Sequence, residues 1–117
     1  MVLHDRLSLN DNWFEGMKKY GNYFDSLSCV QLTLEKQRAG DWMTSCSSKP
    51  PGISALLDYR DWDEYVFVPG GVTILKKSVW AQVKWDESLF WSECEDVVLG
   101  HSSTAKGFLI RFNPHAS

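Results

Sequence analysis

Tyr65-Val66-Phe67-Val68-Pro69-Gly70-Gly71-Val72-Thr73-Ile74-Leu75 is the stretch that decides the fold class. Tyr65–Val68 is a short apolar run and reads as a strand. Pro69-Gly70-Gly71 ends it. Val72–Leu75 then reads as a second strand, so the pair predicts a hairpin around Pro69–Gly71. Lys77–Val83 follows as a short helix. A strand, a turn, a strand and a helix in immediate succession point to a mixed α/β sheet.

Working outward, Ser92-Glu93-Cys94-Glu95 precedes Val97-Val98-Leu99 and has the form of a capping box. It predicts a helix running to about Lys106, stopped by Gly107, with a last strand over Phe108–Phe112. Upstream, Ile53–Tyr59 reads as a short helix. Arg38–Gly52 holds Gly, Ser, Lys and a Pro pair, and reads as a long mobile loop. Val30, Leu32 and Leu34 alternate with Gln31, Thr33 and Glu35, as in a half-buried strand. Trp13, Met17 and Tyr20 recur at helical spacing after an Asn10-Asp11 cap, and Gly21 can stop that helix. Val2-Leu3 looks like the end of a strand. The expectation is an α/β chain of α+β character: a small mixed sheet of about four or five strands, carrying two main helices. Residues 1–117 are expected to form a single domain.

Composition narrows the function classes. The chain has 117 residues, with 44% hydrophobic and 23% charged, which excludes wholesale disorder. Six Trp, six Phe and four Tyr supply aromatic area for a core, and some rings could line a binding surface. The net charge is −3 and the only paired basic residues are Lys18-Lys19 and Lys76-Lys77, which argues against a nucleic-acid partner. No run approaches the ~20 apolar residues of a membrane-spanning helix. Met1–Asp5 shows no signal-peptide pattern. Cys29, Cys46 and Cys94 are odd in number and widely spaced, which suits a reducing cytoplasm and matches no zinc pattern.

Two places carry candidate chemistry. Asp86, Glu87, Glu93, Glu95 and Asp96 gather acids near a helix start. They would favour the helix dipole on any account. Asp96, beside other carboxylates and flanked by Phe90 and Trp91, could also have its pKa raised and accept a proton from a hydroxyl. His4-Asp5 follows a strand end, where an Asp suits Mg²⁺ or Mn²⁺. Adjacent strand residues point to opposite faces, so both reach one ion only if the strand has already ended. Gly70-Gly71 permits a close backbone approach, but neither phosphate-loop spacing is present.

Leu3-His4-Asp5-Arg6, Trp13-Phe14-Glu15-Gly16, Asp41-Trp42, Pro69-Gly70-Gly71-Val72 and Trp85–Val97, in that order and with Gly107 following, resemble the later half of a family-2-like glycosyltransferase with the GT-A fold. Such enzymes transfer a sugar from a nucleotide diphosphate to an acceptor hydroxyl. The resemblance covers nearly the whole chain, and Trp85–Val97 is its most specific part. It implies that Asp5, with His4, holds a divalent cation, Mn²⁺ or Mg²⁺. It implies Asp96, beside Glu95, as the base that deprotonates the acceptor, with inversion. Trp91 and Glu93 would shape the acceptor site, and Gly70 and Gly71 would let the backbone pass close to donor or acceptor. The second acid of an Asp-x-Asp metal motif is replaced by Leu7. The family's nucleotide-binding first half has no counterpart in these residues. The resemblance therefore implies an incomplete transferase domain that associates with itself or with a partner chain. The alternative is a non-catalytic carbohydrate- or protein-binding module. The absence of a targeting signal leads to the expectation of a cytoplasmic location, and the resemblance adds the inner membrane face, where the family often works.

Overall fold

The computed structural model describes residues 1–45, 54–89 and 94–117. Among the described residues seven short strands and three helices follow one another: β1 (Val2–Leu3), α1 (Trp13–Tyr20), β2 (Ser26–Cys29), β3 (Met43–Thr44), β4 (Ala55–Leu56), β5 (Val66–Phe67), β6 (Val72–Leu75), α2 (Lys77–Gln82), α3 (Glu95–Ala105) and β7 (Ile110–Asn113). The chain is mixed α/β with two sheets, not the single sheet expected.

The larger sheet has the order β1-β6-β2-β7. β6 runs antiparallel to both β1 and β2, with Leu3 opposite Val72 and Leu27 opposite Ile74. β2 and β7 are parallel, with Ser28 opposite Phe112. The smaller sheet, β4-β3-β5, is antiparallel throughout. The expected hairpin at Pro69–Gly71 is therefore absent. β5 pairs with β3 and β6 with β1 and β2, so the two strands diverge into different sheets. The Pro-Gly-Gly link is a crossing between layers, which frees its backbone for other contacts.

Three other expectations are corrected. The strand expected over Val30–Leu34 lies earlier, at Ser26–Cys29. All four residues of β2 are buried because the strand is covered on both faces, so its polar positions, Ser26 and Ser28, are as enclosed as Leu27 and Cys29. Leu34 instead sits on a tight exposed turn, 98% exposed, where the Lys36 N–H donates to the Thr33 carbonyl. The helix expected over Ile53–Tyr59 is replaced by β4 in its described part. The stretch expected as a loop from Arg38 holds β3 and two fully enclosed residues, Asp41 and Trp42, up to Ser45. Residues 46–52 of that loop lie outside the described residues.

Packing follows from the stripes. α1 turns Trp13 and Gly16 inward, with Met17 and Tyr20 beside them, onto Phe24, Leu27, Cys29, Val72 and Ala116. β7 joins the two sheets: its Ile110 and Phe112 pack with Val66, Val68 and Trp42. A third cluster, Val79, Val83 and Leu99, fastens α2 to α3. α3 lies on β5 so closely that a Cβ on Gly100 would stand 2.6 Å from the Phe67 Cβ. Gly107, at φ +82°, supplies the left-handed residue just past α3, as its position in the sequence indicates.

Candidate functional site

The site is built from three chain segments that meet at one end of the larger sheet. β1 ends at Leu3, and the His4 N–H donates to the Gly71 carbonyl at 3.0 Å. Gly70, next in the link, donates its N–H to Asp96 Oδ2 at 3.2 Å. Asp96 is the second residue of α3, and its Oδ1 accepts the Val97 N–H at 2.9 Å. Two adjacent glycines thus tie the His4 segment to the start of α3. Of the residues expected to act together, His4, Gly70, Gly71 and Asp96 are brought into one connected group.

Asp96 is half-buried beside a small recess lined by Ser26, Val68, Thr73, Leu99, Gly100 and Ser103. Burial pushes its carboxyl above the ordinary carboxylate range. The Val97 and Gly70 amides pull the other way, and the neighbouring Glu95 charge adds to the rise. A carboxylate held by two amide donors and partly buried is oriented and more basic than usual. That is what a general base for a hydroxyl requires.

The same shift predicts a pH effect on stability. The folded chain keeps the Asp96 proton at pH values where the unfolded chain, with its carboxyl near 3.8, has lost it. Stability is therefore lost as pH rises from the unfolded value through the folded one. The stability of the protein measured against Asp96→Asn should fall with rising pH across that window. Urea titrations at a series of pH values read this difference, and a flat difference would contradict the burial of Asp96.

The other expected residues divide. Glu95 is the first residue of α3 and is exposed; it contributes charge beside Asp96 but no hydrogen bond among the described residues. A capping box would have made Glu95 the third helical residue. Instead Cys94 precedes the helix in a left-handed conformation at φ 60° and offers no side-chain cap. Trp91, Glu93 and Ser92 lie outside the described residues.

His4 and Asp5 stand on a turn after β1, so the strand constraint that would part them does not apply. His4 Nδ1 lies 3.0 Å from Asp5 Oδ1. The same nitrogen accepts the Arg6 N–H at 3.2 Å. Asp5 is 88% exposed at its side chain. No group of three or more His, Cys, Asp or Glu is gathered into a metal-binding set among the described residues. Asp5 fits a divalent ion as a single carboxylate ligand, with other oxygens supplied by a phosphate and water. His4 Nδ1 is already engaged and fits less well.

Sequence reasoning missed the support behind the glycine pair. The Gln31 side chain packs directly against Gly71, where any Cβ would collide with its amide oxygen. The Gln31 N–H donates to the buried Asp41 carboxylate at 3.3 Å. Asp41 also takes the Arg38 Nε–H at 2.8 Å and the Tyr59 hydroxyl at 2.7 Å. The available signal was Arg38 and Asp41 at i, i+3, with Tyr59 far along the chain. Comparison with protein-family models, with curated proteins and with solved structures finds no significant match to this chain.

Proposed function

We propose that the chain is a glycosyltransferase-like domain of the inverting, nucleotide-sugar-dependent type, related to the later half of the GT-A fold. One observation carries this reading: the Gly70 amide on the Asp96 carboxylate, with His4 bonded to the adjacent Gly71. It joins a strand-end His-Asp pair, a glycine link and a helix-start acid, which are the three elements the sequence resemblance singled out.

In this reading Asp96 accepts the proton of an acceptor hydroxyl as that oxygen attacks the anomeric carbon from the face opposite the leaving diphosphate. The Gly70 amide orients the carboxylate throughout. Asp5 holds a divalent cation, Mn²⁺ or Mg²⁺, together with the donor. When bound, such an ion offsets the charge that develops on the diphosphate. Gly70, with open space where a Cβ would stand, leaves room for the acceptor or donor to approach the backbone, whereas at Gly71 that space is filled by Gln31. The resemblance assigns the acceptor side to Trp91 and Glu93, which lie outside the described residues.

The donor's base and ribose need further surface, which a second copy or a partner chain supplies. β1 is the strand available for that pairing. It bonds β6 on one side only, and Val2 and Leu3 are exposed. No described helix is long and apolar enough to cross a membrane. A cytoplasmic setting, including the inner membrane face, belongs to the same proposal.

The test is calorimetry with UDP and with UDP-glucose, each with and without Mn²⁺, on the protein and on Asp5→Ala. The expected result is metal-dependent binding that disappears in the variant. Failure of both nucleotides to bind would overturn the donor reading and leave the second one, a non-catalytic carbohydrate- or protein-binding module. The exposed, two-residue character of the His4-Asp5 pair is what favours that second reading.

A further inference from the structure

We propose that the cavity along the outer side of β7 is a binding site for a small planar aromatic monocarboxylate, separate from the Asp96 group. The cavity measures about 380 Å³, and Tyr20, Trp42, Tyr59, Trp62, Arg60 and Arg111 form its characteristic walls. That size falls within the range of small-molecule pockets, roughly 300–1,000 Å³. Its lining shares only Ile110 with the recess beside Asp96.

The walls differ in what they have left to offer. Tyr59 is packed on two sides, stacked on Phe112 at 4.3 Å and facing the Arg38 guanidinium at 4.1 Å. Trp42 is enclosed, and its indole N–H is spent on the Asp61 carbonyl at 2.9 Å. These two form a rigid back wall. Trp62 is 54% exposed and has no ring partner among the described residues, so it can stack on an entering ring.

Arg111 supplies the recognition element. Its Nε is shielded from solvent and has no hydrogen-bond partner among the described residues. Its guanidinium carbon lies 4.9 Å from the Tyr23 ring, a contact that accepts no hydrogen bond in the guanidinium plane. The Tyr20 hydroxyl is hydrogen-bonded to the Arg111 guanidinium; burial raises that hydroxyl's pKa although Arg111 pulls the other way, so Tyr20 stays neutral and offers no counter-charge. The guanidinium has no acidic partner among the described residues, and a ligand carboxylate at the cavity wall would supply one. A carboxylate is planar and matches the guanidinium fork.

Charge count selects a monoanion. The lining holds two arginines and one acid, Asp61. Arg60 is partly offset by Asp58 at 3.6 Å. A dianion such as a phosphate monoester would exceed the single net positive charge of that lining, while a neutral sugar would leave that charge uncompensated. An aromatic ring on Trp62 with one carboxylate on Arg111 uses both free groups.

The experiment is a two-dimensional NMR titration that follows the arginine Nε–H and tryptophan indole signals. The probes are benzoate and its neutral analogue benzyl alcohol. The proteins are the full chain, Arg111→Gln and Trp62→Ala. Benzoate should give saturable shifts at Arg111 and Trp62. Each substitution, and the change to benzyl alcohol, should weaken binding about tenfold or more. Equal binding of benzyl alcohol would overturn the proposal and leave only an apolar pocket. Undiminished benzoate binding in Trp62→Ala, or no saturable shift at Arg111, would also overturn it. Trp62 is largely exposed, so its variant keeps the test decisive even where Arg111→Gln does not fold.

Discussion

Replacing Arg38 by Met should lower the unfolding free energy by about 3 kcal/mol, the low end of the penalty for leaving a buried charge without its partner. Urea unfolding reads this as an earlier midpoint with an unchanged slope. The size comes from burial. Asp41 is fully enclosed, while the Arg38 side chain is 29% exposed. Arg38 Nε donates to Asp41 Oδ1, and its terminal nitrogen donates to the Leu57 carbonyl at 2.6 Å. Its plane lies over the Tyr59 ring. The methionine chain can keep some of that ring contact. It cannot answer the carboxylate, which would retain only the Tyr59 hydroxyl and the Gln31 amide.

A contrast within the chain fixes the scale. Lys18 and Glu15 also form an i, i+3 pair, at 2.7 Å, but both side chains are about three-quarters exposed. Lys18→Ala should therefore change stability by less than ~1 kcal/mol. Arg38→Lys should recover only part of the loss, because a lysine cannot hold Asp41 and the Leu57 carbonyl in one fork. A loss below ~1 kcal/mol in Arg38→Met would place Asp41 in contact with water, contrary to its burial.

This network also explains what the sequence showed and what it hid. Asp41-Trp42 sits in a stretch rich in Gly, Ser, Lys and Pro, so composition suggested a loop. Its order comes from residues 18 and more positions away, through the Tyr59 hydroxyl and the Asp61 carbonyl. No local pattern records such a bond. β2 was hidden for a related reason: Ser26 and Ser28 are buried between two neighbouring strands, and the Ser28 hydroxyl reaches the Asp41 carbonyl. Serines read as polar positions unless that partner is known. The Val30–Leu34 alternation misled in the opposite sense, because period-two patterning says nothing of whether a second sheet exists to cover it.

Elements whose signals are local were legible. The Trp13, Met17 and Tyr20 spacing marked α1, and Gly107 marked the end of α3. Pro69-Gly70-Gly71 correctly separated two strands but not their partners, since turn chemistry does not distinguish a hairpin from a crossing. Half of the candidate site was readable for chemical reasons: Asp96 as a crowded acid at a helix start and Gly70-Gly71 as permissive backbone. That Gly70 would donate to Asp96, and that Gln31 would press on Gly71, required the fold.

Asp96→Asn is the substitution that separates catalysis from architecture. Given a competent donor site, it should reduce sugar transfer by about 10²–10⁴-fold, the usual contribution of a general base. Donor binding should change by no more than about twofold, because a group that acts only as the acceptor is deprotonated contributes little to the ground state. The asparagine oxygen can still accept the Gly70 amide, so the link between the two chain segments is retained. What is lost is the capacity to take a proton. Glu95→Gln is the matched comparison. Glu95 is exposed and makes no hydrogen bond to the glycine link, so it should alter the rate about threefold at most, through its charge on Asp96. Equal losses in the two variants would assign the effect to local charge and remove Asp96 from the role of base. A loss in Asp96→Asn alone, with donor affinity intact, requires a proton acceptor at that position, and the Gly70 amide is what aims it.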